Sequence, residues 1–200
     1  MDPIRMPWEP MTLVEVARVF EGLGVPWWIA GGYAIELAVG GGVREHADID
    51  VVVLRRDQMA VQRVLSGWEL WAADPPGTLR VWEPGEVLAT TVRVVWCRQG
   101  SDQPWRLQVM LDESSGSEWF SRRDPRLRRA LDEIVCRSAD GIAYLAPEIQ
   151  LYYKSRDPRP KDETDFAAAL PVLTAAQREW LWAALDETHP WRAFLRPGTP

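Results

Sequence analysis

Apolar positions recur at helical spacing just after Thr12, where Leu13, Val16, Ala17 and Phe20 form one stripe. Thr12 and Glu15 make a capping box, so the spacing predicts a helix from about Thr12 to Leu23, ending at Gly22 or Gly24. Trp27-Trp28-Ile29 reads as a short buried strand, which Gly31-Gly32 breaks. Tyr33 to Val39 returns to helix, and Gly40-Gly41-Gly42 stops it. Ile49 to Leu54 is an unbroken β-branched, apolar run and predicts a central strand. Asp57 is placed to cap a helix to about Leu65. Trp68 to Ala72 is expected as an edge strand, followed by a turn at Asp74-Pro75-Pro76-Gly77. Leu79 to Trp82, Thr91 to Cys97 and Arg106 to Leu111 read as further strands, the last two as a hairpin-like pair.

The pattern changes near residue 119 and becomes mostly helical: Asp124 to Leu131, Pro147 to Arg156, Lys161 to Leu170 and Thr174 to Glu187. Pro147 suits a first helical position, and Thr174 with Gln177 repeats the capping box. The expected fold is therefore α+β, a small mixed sheet flanked by helices with a C-terminal helical unit. Residues 1–118 are expected to carry the chemistry and 119–200 the mostly helical part.

Composition narrows the function more by exclusion than by assignment. A chain of 200 residues with 46% hydrophobic residues can bury its own core. The net charge of -6 argues against a broad nucleic-acid surface. Cys97 and Cys136 lack metal-ligand spacing, which speaks against zinc and suits free thiols in a reducing compartment. No signal peptide or membrane span is read, so a cytoplasmic location without membrane partners is expected. The twelve tryptophans are expected mainly in the core, with some available to a ligand pocket.

The chemistry-bearing pattern is Gly31-Gly32, fifteen residues, then Asp48-Ile49-Asp50-Val51. Alternate strand residues face one side, so Asp48 and Asp50 project together. Two adjacent carboxylates repel, and a cation relieves that repulsion. Mg²⁺ suits them, since it takes carboxylate oxygens together with substrate phosphates. Gly31-Gly32, between a strand and a helix, lets backbone approach a phosphate at a helix N-terminus. Phosphate anchor plus metal carboxylates is the equipment of phosphoryl or nucleotidyl transfer.

The segment GGYAIELAVGGGVREHADIDVVVL resembles the signature of the DNA polymerase β-like nucleotidyltransferases, and within them the aminoglycoside and lincosamide enzymes. The resemblance rests on Gly31, Gly32, Tyr33, Ala34, Ile35, Arg44, His46, Asp48, Ile49 and Asp50. LAPEIQLYYKSRDPRPKDETDF resembles the C-terminal helical segment of the same group. The resemblance implies ATP or another nucleoside triphosphate as donor, Mg²⁺ on Asp48 and Asp50, and a third acid near the acceptor hydroxyl. Asp112 is the first candidate for that acid and Glu113 the second, while Gln108 occupies a place where an acid is equally expected. Arg44, Lys154 and Lys161 are the candidate donor-phosphate contacts, alongside Gly31 and Gly32; a salt bridge is the alternative for Arg44 and a solvated loop for the lysines. His46 is expected to shape its loop and Asp165 to hold the helical one.

The acceptor stays open at this level. Glu83, Glu86, Asp112, Glu113 and Glu118 suit a cationic aminoglycoside, whereas Trp82, Trp105 and Trp119 suit a less polar molecule. The arginines between Arg122 and Arg129 read as a helix face or as triphosphate contacts. Two other functions fit the same motifs: modification of a protein partner in a toxin–antitoxin pair, and a non-catalytic nucleotide-binding module.

Overall fold

The computed structural model describes residues 3–196. Helix α1, Leu13–Phe20, starts where the sequence sets it, with Thr12 and Glu15 closing both halves of the capping box. Val16 and Phe20 bury its apolar stripe. Strand β1, Trp27–Ile29, leads directly into α2, Gly31–Val39, so both glycines belong to the first helical turn. Gly40 ends α2 in the left-handed region at φ 81. Strand β2 is Asp50–Leu54, and α3 is Gln58–Val64; Asp57 precedes α3 without a side-chain cap bond.

Four strands follow: β3 (Glu69–Ala72), β4 (Arg80–Val81), β5 (Val94–Arg98) and β6 (Leu107–Asp112). β5 and β6 form the expected antiparallel pair. β3 is not the edge, because β4 pairs along its outer side. Short strands β7 (Ser114–Ser115), β8 (Glu118–Phe120) and β9 (Arg128–Ala130) build a separate three-stranded sheet. β9 lies in the region expected as a helix over Asp124 to Leu131. Pro125 opens a turn there, and exposure alternates along Leu127-Arg128-Arg129-Ala130 with the period of a strand.

Strands β10 (Val135–Arg137) and β11 (Ala143–Leu145) return to the main sheet, whose order is β10-β11-β1-β2-β6-β5-β3-β4. β2 is central, parallel to β6 and antiparallel to β1. Its buried run Val51–Leu54 anchors the larger core. The helices α4 (Pro147–Lys154), α5 (Pro160–Ala169) and α6 (Ala175–Ala184) enclose a second core around Leu151, Phe166, Leu181 and Trp191. The ring of Phe166 stacks on Trp191 with centroids 4.2 Å apart. We propose Pro147, rather than residue 119, as the start of the helical unit. Helix α2 joins the two cores, with Ala34 in the larger and its neighbour Ile35 in the helical one.

Candidate active site at the Gly-Gly turn

The strand β1 delivers the chain to Gly31 at φ 67, a conformation that L side chains rarely adopt. A Cβ at Gly31 would collide with Asp50 Oδ2, and one at Gly32 would collide with His46 and with Arg44 Nη2. The two glycines are therefore needed because acidic and basic side chains close directly over the start of α2. The Gly31 N–H donates to Gln150 Oε1 at 2.8 Å, tying the turn to α4. The next N–H groups of this first turn have no intrahelical acceptor, as at any helix start.

The loop after α2 is folded back by Glu36. Its Oε1 accepts from the N–H groups of Val43 (2.9 Å) and Arg44 (3.4 Å) and lies 2.9 Å from His46 Nε2. The His46 ring packs on Tyr33, centroids 4.2 Å apart. This agrees with a shaping role for His46. Arg44 is committed: Nε and Nη2 donate to the two oxygens of Asp165 at 2.9 and 3.0 Å, and Nη1 donates to the Glu45 carbonyl. Lys154 also reaches Asp165, at 2.8 Å, and Asp162 at 2.9 Å. Asp165 is fully buried, so these two cations compensate a carboxylate that would otherwise be costly to bury.

Asp50 opens β2 beside Gly31. Burial, then the neighbouring charge of Asp48, push its carboxyl up to about 6, opposed by Gln108, Lys154 and Lys161. The two acids and two lysines thus share one electrostatic field. Lys161 makes no ion pair among the described residues. The position level with Asp50 on β6 is Gln108, and its Nε2 donates to Asp50 Oδ1 at 2.6 Å. No group of three or more His, Cys, Asp or Glu residues able to hold a metal occurs among the described residues.

Asp112 stands four residues further along β6, about 13 Å at the strand rise, too far to share an ion with Asp50. Its carboxylate accepts from Trp119 Nε1 at 2.8 Å and from the Glu113 N–H at 3.1 Å, and burial raises its pKa. Asp50 and Asp112 mark the two ends of one narrow cleft of about 80 Å³. Val52, Met110 and Tyr153 line it, with Arg122 at the Asp112 end. Glu113 does not enter it; its carboxylate pairs with Arg55 at 2.6 Å.

A family model described as aminoglycoside-2''-adenylyltransferase matches residues 12–168. The chain belongs to that family. Among curated proteins no sequence matches. Among solved structures, this adenylyltransferase-family chain resembles the lincosamide antibiotic adenylyltransferase LnuA with lincomycin bound. The TM-score is 0.57 at 16% identity, covering 82% of this chain and 100% of that one. It also resembles ANT(2'')-Ia in complex with adenylyl-2''-tobramycin, with a TM-score of 0.54 at 16% identity over 86% of this chain and 93% of that one. A solution structure of ANT(2'')-Ia gives 0.53 at 17% identity, covering 86% and 88%. The fold is the nucleotidyltransferase fold, and the family makes the protein a nucleotidyltransferase enzyme.

The other sequence expectations separate in the fold. Trp82, Trp105 and Trp119 are core residues, each buried with its indole N–H donating to Glu86 O, Pro3 O and Asp112 Oδ2 respectively. Glu86 pairs with Arg80 and Glu118 with Arg128, so those acids form no joint patch for a polycation. The arginines disperse as well: Arg122 lies over the Tyr153 ring, Arg123 over Tyr152, Arg126 on Asp124 and Arg129 on Glu148. Sequence reasoning missed Trp96, Gln150 and Tyr153, whose place depends on strand register and on how α4 docks, and it read Arg122 only as one member of a basic cluster.

Proposed function

We propose that the protein transfers AMP from ATP to a hydroxyl of a small antibiotic-like molecule, with release of pyrophosphate and of the hydroxyl proton, and with Mg²⁺ held by Asp48 and Asp50. The observation that carries this reading is the enforced contact between Gly31 and Asp50: the phosphate-binding turn and the acid pair are one structure. Their donor set fits Mg²⁺, which accepts one or two carboxylates and completes its octahedron with phosphates and water. When bound, the ion neutralises charge on the donor phosphates and draws electron density from the reacting phosphorus. Asp48 and Asp50 orient the donor, and the first-turn N–H groups of α2 meet its phosphate oxygens. Lys161 supplies a positive charge to the phosphates, while Lys154 and Arg44, both tied to Asp165, fix the helical side of the cleft. The cleft between Asp50 and Asp112, at about 80 Å³, takes only the reacting edge of the acceptor. There Asp112, Arg122 and Tyr153 orient it, and its hydroxyl meets the phosphorus near Asp50.

Incubation with ATP, Mg²⁺ and a panel of lincosamides and aminoglycosides tests the reading by product mass. A product heavier by one adenylyl group is expected from at least one compound, and Asp50→Asn is expected to abolish it. Turnover that survives Asp50→Asn, or no product with any panel member, would count against the proposal.

A further inference from the structure

Register builds a continuous row across four strands on the site face: Trp71 on β3, Trp96 on β5, Gln108 on β6 and Asp50 on β2. Within it, Trp96 Nε1 lies 2.9 Å from Gln108 Oε1, and Gln108 Nε2 lies 2.6 Å from Asp50 Oδ1. These two contacts fix the amide without reference to hydrogen positions. An indole nitrogen only donates, so the amide oxygen must face Trp96. The amide nitrogen then faces Asp50, whose ionised carboxylate only accepts. Trp96 is itself held by ring contacts with Trp8 and Trp105, at centroid distances of 5.0 and 5.5 Å.

This relay has a consequence for how many ions the acid pair can hold. A second divalent cation on the β6 side of Asp50 would need an oxygen ligand there. That place is taken by an N–H donor, and the amide's only oxygen is already bonded to Trp96. Asp112 is too distant, and no third acid or imidazole completes a cluster among the described residues. Asp50 Oδ2, by contrast, points to Gly31 and the donor side. We propose that Gln108, locked by Trp96, is a positioning residue that restricts the Asp48–Asp50 pair to a single divalent cation on the donor side. The inference rests on the nucleotidyl-transfer reading. It also means that the acceptor is oriented by protein side chains rather than by an ion of its own.

Mn²⁺ in place of Mg²⁺, with α,β-methylene ATP as an inert donor, makes the ion count visible by low-temperature electron paramagnetic resonance. Two ions about 3.5–4 Å apart couple magnetically, whereas one gives an uncoupled mononuclear spectrum. The unsubstituted protein is expected to show only the mononuclear form at any excess of Mn²⁺. Gln108→Glu, which replaces the donor by a carboxylate, is expected to show the coupled pair. Trp96→Phe keeps an aromatic ring but removes the N–H that holds the amide. It lets Oε1 turn toward Asp50 and is the second variant should Gln108→Glu not fold. A coupled pair in the unsubstituted protein, or in neither folded variant, overturns this inference alone. A spectrum unchanged from Mn²⁺ and nucleotide without protein overturns the nucleotidyl-transfer reading, and the inference with it.

Discussion

Gly31 and Gly40 begin and end the same helix, both with positive φ, yet they answer to different demands. At Gly40 a Cβ would meet nothing within 4 Å, so an alanine there carries only the left-handed penalty of about 1–2 kcal/mol. At Gly31 the same penalty is joined by a collision with Asp50 Oδ2, an oxygen that the proposed chemistry uses. Gly40→Ala is therefore expected to lower the denaturation midpoint while retaining most turnover. Gly31→Ala is expected to lose turnover by about 10²-fold or more, since a 1 Å misplacement at a reacting centre has that effect. Steady-state rates paired with urea unfolding of both variants separate the two. Equal loss of turnover in both would mean that Gly31 acts only through helix geometry.

The elements carrying the candidate site differ in how openly the sequence announces them. Helix α1 and strand β2 were legible because each has a local cause: a capping box in the first, an unbroken β-branched run in the second. Asp50 was legible for the same reason, since it opens that run and stands beside a glycine turn. β9, β10 and β11 were not, because three-residue strands have too little period to read, and β11 also takes its place from β1, which lies far away in sequence. Gln108 could be suspected, but its bond to Asp50 depends on the β2–β6 register, which links residues 58 apart. Helix α5 shows the same limit: its Asp162 is a hub that accepts from Lys154 Nζ and from the Arg159 N–H and Nε, contacts that only the docking of α4 and α5 brings together. Burial alone pushes the Asp162 carboxyl up, but bonds from Arg159 and Lys154 more than offset that and hold it well below the usual carboxylate range. A folded-state pKa below the unfolded one stabilises the fold above about pH 4, and that stabilisation fades as pH falls through the folded value. Urea unfolding at pH 6 and pH 3 is expected to show a smaller acid-induced loss in Asp162→Asn than in the unsubstituted protein. An identical loss in both would remove Asp162 from the account of acid sensitivity.

At the scale of the whole molecule, the candidate site lies on the seam between two cores. Asp50 belongs to the sheet and the glycine turn to α2 beside it, whereas Lys154 and Lys161 are carried by α4 and α5. The seam is already fastened by Gln150 on Gly31, by Arg44 on Asp165 and by Ile35 reaching into the helical core. In the proposed function, a donor triphosphate between Asp50 and Lys161 adds a further fastening that exists only in the folded state. Mass action then stabilises the protein by about 2.7 kcal/mol when the donor is at a hundred times its dissociation constant. Lys161 is the cation free to make that contact, because Lys154 and Arg44 are spent on Asp165. Removing it is expected to weaken donor binding roughly tenfold, which lowers the stabilisation at the same donor concentration by nearly 1.4 kcal/mol. Unfolding curves of the unsubstituted protein and Lys161→Ala, with and without ATP and Mg²⁺, measure that difference directly. Without nucleotide the two curves should nearly coincide, since Lys161 supports no ion pair in the described fold. An equal gain from nucleotide in both would place the donor away from α5 and detach the helical unit from catalysis.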